Sequence, residues 1–178
     1  MNSNPAISIL MPVKNTAPFL IECLESIIRQ TETDFELIAI DDHSSDESHS
    51  ILKEFGIKDK RIKVFKNTGT GIIEALRLAY SKSSGKYISR MDSDDVMSVH
   101  KLELLKSNLI AFGSGHIALG KVKYFSATAL GAGFKNYEFW LNSLIEKGTN
   151  FEGIYKECVI PSPCWMVYRE DLEKCQAF

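Results

Sequence analysis

A chain of 178 residues, 44% of them hydrophobic, can bury a sizeable core and is too apolar to be disordered, so it reads as one domain over residues 1–178 or as one large piece of a slightly bigger domain. The formal net charge of −2, with the basic stretch Lys58 to Lys66 interrupted by Asp59 and apolar residues, excludes an electrostatic case for nucleic acid or an anionic membrane. No uncharged run approaches the ~20 apolar residues of a membrane span, and Met1-Asn2-Ser3-Asn4-Pro5 lacks the basic start and apolar core of a signal peptide, which predicts a soluble protein.

The first half alternates strands with amphipathic helices. Ile7 to Met11 is an apolar run stopped by Pro12, and Phe19, Leu20, Cys23, Leu24, Ile27 and Ile28 then recur with the spacing of one helical face. Phe35 to Ile40 is the second predicted strand. Ser44 followed by Glu47 predicts a capping box for a helix carrying Ile51, Leu52 and Phe55 and ending near Gly56. Ile62 to Phe65 is a weaker third strand, Ile72 to Tyr80 a third helix stopped near Gly85, and Tyr87 to Met91 the fourth strand. Such alternation predicts a mostly parallel sheet with right-handed crossovers, covered on both faces. In that sheet the loops Pro12 to Asn15, Asp41 to Ser45, Asn67 to Gly71 and Asp92 to Asp95 become neighbours along one edge. Beyond Val99 the pattern loosens into a helix through Leu102, Leu105 and Leu109, a glycine-rich stretch to Phe134, a helix around Tyr137 to Ile145 and the segment Pro161 to Pro163. The uncharged stretch Asn108 to Gly120 is expected to be buried beside the core.

Cys23, Cys158, Cys164 and Cys175 show no Cys-x-x-Cys spacing, and His43, His49, His100 and His116 lack zinc-site spacing, so reduced thiols in a cytoplasmic protein without zinc are expected. Tyr87 to Met91 delivers an apolar strand into Asp92-Ser93-Asp94-Asp95. Carboxylates at a strand end suit Mg²⁺ or Mn²⁺ gripping a diphosphate, and an acidic solvated turn is the plain alternative. Gly115 to Val122 spells Gly-x-x-x-x-Gly-Lys but ends in Val122 where a P-loop needs Ser or Thr. Gly69-Thr70-Gly71 begins a dinucleotide fingerprint, yet Glu74 stands at its third glycine. The cluster Asp92 to Val96 also resembles the nucleophile motif of haloacid-dehalogenase-type phosphatases. Those enzymes place it on their first strand, whereas three strand–helix units precede it here.

The blocks Ser8-Ile9-Leu10-Met11-Pro12-Val13-Lys14-Asn15, Leu24 to Ile27 with Gln30-Thr31, Phe35 to Ile38 leading to Asp41-Asp42-His43-Ser44-Ser45-Asp46, Asn67 with Gly69, Gly85 to Ile88 and Arg90 to Asp95 resemble, in order and spacing, family 2 glycosyltransferases of the GT-A fold. Six blocks across roughly the first hundred residues make a specific match, and Tyr137 to Tyr168 resembles a bacterial branch of the family more weakly.

The resemblance implies an α/β, Rossmann-like three-layer sandwich, with residues 1–98 binding a nucleotide-diphosphate sugar, UDP-linked, and residues 99–178 forming part of the acceptor side. Pro12, Val13 and Asn15 would line the nucleotide pocket, and Asp42 would accept a hydrogen bond from the base. Asp92 would contact the ribose or a metal-bound water, and Asp94 would coordinate Mn²⁺ or Mg²⁺ in a DXD motif, with Asp92 counted beside it as a metal residue. The implied reaction is inverting, metal-dependent transfer to an acceptor hydroxyl on a carbohydrate or lipid-linked acceptor, as in polysaccharide biosynthesis. A cytoplasmic location follows, extending to the inner face of the membrane as a peripheral protein. Glu170-Asp171 looks like the start of the helix preceding the family's catalytic base, so the base is expected beyond Phe178. A donor-binding form without turnover is then an alternative, alongside the phosphatase. Arg77 is expected on a solvated helix face, and Trp140 and Trp165 in core packing.

Overall fold

The structure, a computed structural model, describes residues 4–177. Met1 to Ser3, which open the segment tested above for a leader, and Phe178 lie outside the described residues. Four parallel strands form the centre: β1 (Ile7–Val13), β2 (Phe35–Asp41), β3 (Ile62–Lys66) and β4 (Tyr87–Arg90). Every residue of β2, and every residue of β1 but Pro12, is buried. That is why both strands read as near-continuous apolar runs, broken only by Ser8 in β1 and by Glu36 and Asp41 in β2, the mark of parallel strands covered on both faces. Two further strands complete the sheet, β5 (Ala118–Leu119) and β6 (Trp165–Tyr168), in the order β3-β2-β1-β4-β6-β5.

Among the described residues six α-helices accompany it: α1 (Ala17–Ile28), α2 (Ser48–Lys58), α3 (Ile72–Lys82), α4 (Lys101–Phe112), α5 (Ala132–Lys147) and α6 (Arg169–Lys174). Leu20, Cys23, Leu24 and Ile27 of α1, Leu52 of α2 and Leu102, Leu105 and Leu109 of α4 pack with Ile7, Ile9, Met11 and Leu37 on one face of the sheet. On the other face Ala75 and Ala79 let α3 lie against Leu10, Ile38, Ile40 and Ile88. Each fully buried Ile or Leu in these two layers contributes about 1.5–3 kcal/mol. Among the described residues no helix is long and apolar enough to cross a membrane.

The structure departs from the sequence reading at several places. β1 continues through Pro12 to Val13, because the strand position of Pro12 asks nothing of the missing N–H. No capping box forms at Ser44: α2 begins at Ser48, the Ser44 hydroxyl instead accepts from the Asn15 N–H at 3.1 Å, and Asp46 accepts from the Ser48 N–H at 3.0 Å. Phe19 stands 56% exposed at the start of α1, off the face that packs. The stretch Asn108 to Gly120 buries Leu109 and Ala118 but exposes Ile110, Phe112 and Ile117, so an uncharged composition did not mean burial. β5 and β6 were not foreseen, being two and four residues long, too short for any periodicity to show. β6 also runs antiparallel to β4, pairing Tyr87 with Tyr168 and Ser89 with Met166.

At the amino ends of the parallel strands, Glu36 clamps the sheet. It accepts from the Ser8 hydroxyl (2.7 Å), the Ser84 N–H (2.6 Å) and hydroxyl (3.0 Å), and Lys63 Nζ (2.6 Å). Gly85 passes so close to this clamp that a Cβ there would sit 2.6 Å from the Ser8 nitrogen, so the approach of β4 to β1 requires glycine.

Candidate active site

The chain leaves β1 toward β2 and β3 on one side, then returns to place β4 on the other side of β1. Ligands of open α/β sheets bind at such a switch point, outside the carboxyl ends of the strands. Register sets the ends of β1, β2 and β3 level, with Val13 beside Asp41 and Asp41 beside Lys66, while β4 ends three residues earlier with Arg90 beside Leu10. Between them lies a cleft of about 380 Å³, walled by Pro12 to Lys14 and Thr16 after β1, by Asp42, Gly71 and Ile72 after β2 and β3, and by Arg90 and Asp92 to Asp94 after β4. Pro12, Val13, Asp42, Asp92 and Asp94 therefore share one cleft. Asn15 does not line it. Its backbone turns into the left-handed region (φ 54°) and its side-chain oxygen accepts from the Ser45 N–H at 2.8 Å, so Asn15 holds the β1 and β2 loops together from outside. Lys14, Thr16, Gly71, Arg90 and Ser93 also line the cleft, and the sequence reading gave none of them a role. Only their adjacency to the motif residues could have pointed to them.

Asp42 is buried and surrounded by donors. Its Oδ1 accepts from Asn67 Nδ2 at 2.6 Å and from the Gly71 N–H at 3.0 Å. Its Oδ2 accepts from Lys14 Nζ at 3.0 Å and shares the Gly71 N–H at 3.1 Å. Burial pushes its pKa up, but the bonds from Asn67, Lys14 and Gly71 outweigh that and hold it below the ordinary carboxylate range. Gly71 reaches it with φ 92°, in the region that favours glycine. Gly69 serves a different contact: a Cβ there would meet the Glu74 Cβ at 2.8 Å, so the glutamate that spoils the dinucleotide fingerprint packs against that glycine. Arg77 pairs with Glu74 at 2.8 Å on the exposed side of α3, away from the cleft.

The three acidic side chains after β4 diverge. Asp92 takes both Arg90 contacts, Nε at 2.9 Å and Nη2 at 2.8 Å, on Oδ1 alone, which leaves Oδ2 for a ligand. Asp94 is exposed in the cleft and bonds no side chain among the described residues. Asp95 turns the other way, into a second cavity of about 570 Å³ that it shares with Asp92, Lys101, Tyr124, Tyr137 and the Pro161 to Cys164 segment. Burial raises the Asp95 pKa, and the charges of Asp94 and Asp92 raise it further. Lys101 faces this group, donates to the Pro163 carbonyl, and has its own pKa drawn down by burial. Beneath the loop, burial and then the charges of Asp95 and Asp94 push the Cys23 thiol up to about 12.

No group of three or more metal-ligating side chains occurs among the described residues. Two divergent carboxylates, one free and one with a free oxygen, still fit Mg²⁺ or Mn²⁺, ions that bind through one or two carboxylates and complete their shell with phosphate and water oxygens. They do not fit a preformed protein cage.

Asp171 lies at the other end of the sheet. Tyr168 pairs with Tyr87 at the start of β4, five residues before Asp92, and the helix that carries Asp171 begins directly after Tyr168, at the amino ends of the parallel strands. There it accepts from the Ser114 hydroxyl (2.7 Å) and the Gly115 N–H (2.8 Å). Trp165 packs against the α3 side of the core and Trp140 stacks on Tyr137 with ring centroids 5.6 Å apart.

A family model described as Glycosyl transferase family 2 matches residues 8–176. An uncharacterised glycosyltransferase of Haemophilus influenzae is 31% identical over 152 residues, covering 82% of this chain and 46% of its own. Glycosyltransferase GlyG of Streptococcus pneumoniae is 38% identical over 101 residues, covering 56% of this chain and 33% of its own. The chain thus spans less than half the length of these relatives. Among solved structures, S. aureus TarS 1-349 in complex with UDP superposes with a TM-score of 0.70 at 19% identity over 97% of this chain and 49% of its own. Mannosyltransferase PcManGT from Pyrobaculum calidifontis, in complex with GDP-Man and Mn²⁺, gives 0.73 at 17% identity over 98% of this chain and 47% of its own. At those identities the likeness is one of fold, and the fold is that of GT-A glycosyltransferases. With a family model matching nearly its whole length, the chain belongs to glycosyl transferase family 2.

Proposed function

We propose that the cleft binds a nucleotide-diphosphate sugar, UDP-linked, together with Mg²⁺ or Mn²⁺, and that the protein transfers the sugar, with inversion, to an acceptor hydroxyl. The observation that carries this reading is the meeting of Asp42, Gly71, Asp92 and the unpartnered Asp94 around one cleft at the switch point of the sheet. The base lies toward Asp42, between Pro12 to Lys14 and Gly71, and the diphosphate toward Asp92 and Asp94. These two residues hold the metal, which offsets the charge developing on the leaving nucleoside diphosphate. Arg90 fixes the Asp92 carboxylate, so the free oxygen keeps one direction. The second cavity, reached past Asp92, takes a carbohydrate or lipid-linked acceptor, and its Tyr124 and Tyr137 offer faces for a sugar ring. The Mn²⁺ and UDP bound by the structural neighbours are consistent with this assignment.

Calorimetric titration of UDP tests it. With Mn²⁺ present binding is expected, and with a chelator it weakens at least about tenfold, because a diphosphate then faces the carboxylates of Asp92 and Asp94 without the metal charge that offsets them. Asp94→Asn should weaken binding far more than Glu103→Gln on α4. Equal affinity with metal and with chelator would overturn the metal assignment.

A further inference from the structure

We propose that Lys14 is a specificity residue, which with Asp42 makes the cleft select the imide edge of uracil over guanine. The inference rests on the reading of the cleft as a nucleotide site and goes beyond it, since the fold alone accommodates a uridine nucleotide in one neighbour and a guanosine nucleotide in another.

The argument starts from the lone pairs of Asp42. A carboxylate offers about four acceptor positions. On Oδ1 both are taken, by the Asn67 amide and the Gly71 N–H, groups fixed by the backbone and by burial. On Oδ2 the donors are the longer branch of the shared Gly71 N–H and the Lys14 ammonium. Lys14 Nζ stands on a flexible stem whose side chain is 54% exposed, so it can pivot at little cost. Oδ2 is thus the carboxylate oxygen that can accept a further hydrogen bond, and it does so with a donor 3.0 Å to its side.

A base edge meeting this pair finds an acceptor next to a donor. Uracil presents a carbonyl, an N–H and a second carbonyl. Its N3–H points to Oδ2 while a flanking carbonyl receives the Lys14 ammonium, and no donor on this edge is left without an acceptor. Guanine presents a carbonyl and two adjacent donors, N1–H and the 2-amino group. The second donor needs the other carboxylate oxygen, whose positions are filled, and it faces the donors Asn67 and Gly71. Cytosine presents an amino group, an unprotonated N3 and a carbonyl, and in the register that uracil takes its N3 meets the carboxylate and is repelled. A site that leaves a buried donor without an acceptor discriminates roughly tenfold or more. Thymine carries the same imide edge as uracil, so thymidine nucleotides share the chemistry.

The test is calorimetry in Mn²⁺ with UDP, dTDP, GDP and CDP on the full chain, on Lys14→Met and on Lys14→Arg. Wild type should bind UDP, dTDP or both at least about tenfold tighter than GDP and CDP, and the ranking of UDP against dTDP identifies the donor's nucleotide. Lys14→Met should lose roughly tenfold in affinity for the imide nucleotide and keep its weak GDP affinity, so that the ratio collapses, while Lys14→Arg retains preference. Unfolding temperatures without ligand separate a folding defect from a change of ratio. Equal UDP and GDP affinities in wild type, or an unchanged ratio in Lys14→Met, would overturn the role of Lys14 while leaving the nucleotide site standing. Failure of all four nucleotides to bind would overturn the nucleotide reading itself and this inference with it.

Discussion

Replacing Glu36 by Gln perturbs the clamp at the amino ends of the strands with minimal change of shape. The amide oxygen can keep the donors now on Oε1, the Ser8 hydroxyl and the Ser84 N–H and hydroxyl. The new NH₂ then faces Lys63 Nζ, which lies 2.6 Å from Oε2, and two donors repel. Loss of one charge-assisted hydrogen bond to a buried group costs about 1.5–3 kcal/mol. Lys63 is 46% exposed and can swing into water, which places the loss toward the lower end. For a chain of this length each kcal/mol lowers Tm by about 2–4 °C, so a fall of roughly 3–12 °C is expected. Glu36→Ala, which orphans the Ser8 and Ser84 donors as well, should cost about 3–5 kcal/mol. Acid dependence sharpens the test. Burial pushes the Glu36 carboxyl up, but the bonds from Lys63, Ser8 and Ser84 outweigh it, so its folded-state pKa lies below the ordinary ~4.3. A depressed carboxylate contributes its stability in full above the unfolded pKa and loses it as pH falls through the folded one. The gap between wild type and Glu36→Gln, read by urea unfolding, should therefore be full at pH 7 and close below about pH 4.3. A gap under about 0.5 kcal/mol at pH 7, or one that persists undiminished in acid, would refute the reasoning.

Asp171→Asn should leave UDP affinity and any sugar transfer unchanged within about twofold, since the residue bonds Ser114 and Gly115 at the sheet edge opposite the cleft; the variant should lose about 1 kcal/mol of stability at most. Abolished transfer in that variant, with nucleotide binding intact, would make Asp171 a catalytic residue. Thiol titration of the folded protein near pH 8 should find Cys158 and Cys175 reactive, both being exposed. Cys23, buried and with its pKa pushed up to about 12, and Cys164, also raised by burial, should react only on unfolding.

Much of the donor-side architecture is legible in the sequence because parallel strands buried on both faces leave near-continuous apolar runs, and Ile7 to Met11 and Phe35 to Ile40 are such runs, each with one polar residue, Ser8 and Glu36. The meeting of Asp42, Asp92 and Asp94 follows once those runs are ordered into a sheet, since loops after parallel strands share an edge. The second half is less legible because its strands are made by pairing alone. Ala118-Leu119 and Trp165 to Tyr168 are strands by virtue of hydrogen bonds to β4 and to each other, with no pattern of their own. The capping box failed for a related reason. Ser44 and Ser48 both had closer uses, accepting from the backbone N–H groups of Asn15 and Thr16 across the β1 and β2 loops, and a tertiary partner displaced the local one.

The two ends of β2 show what topology adds to residue type. Glu36 at one end and Asp42 just beyond the other are both buried carboxylates, each pairing with a half-exposed lysine, Lys63 at 2.6 Å and Lys14 at 3.0 Å, and each gathering a backbone N–H from a neighbouring loop. As arrangements of charge they are equivalent. Glu36 lies at the amino ends of the strands, where Gly85 draws β4 so close to Ser8 that nothing can enter, and its donors only tie strands together. Asp42 lies at the carboxyl ends, where the loops of β1 and β4 part around the cleft and one carboxylate oxygen is covered chiefly by a movable ammonium. The same arrangement of charge is closed at one edge and accessible at the other. Deleting Lys63 should therefore register as stability, and deleting Lys14 as a change in which nucleotide binds.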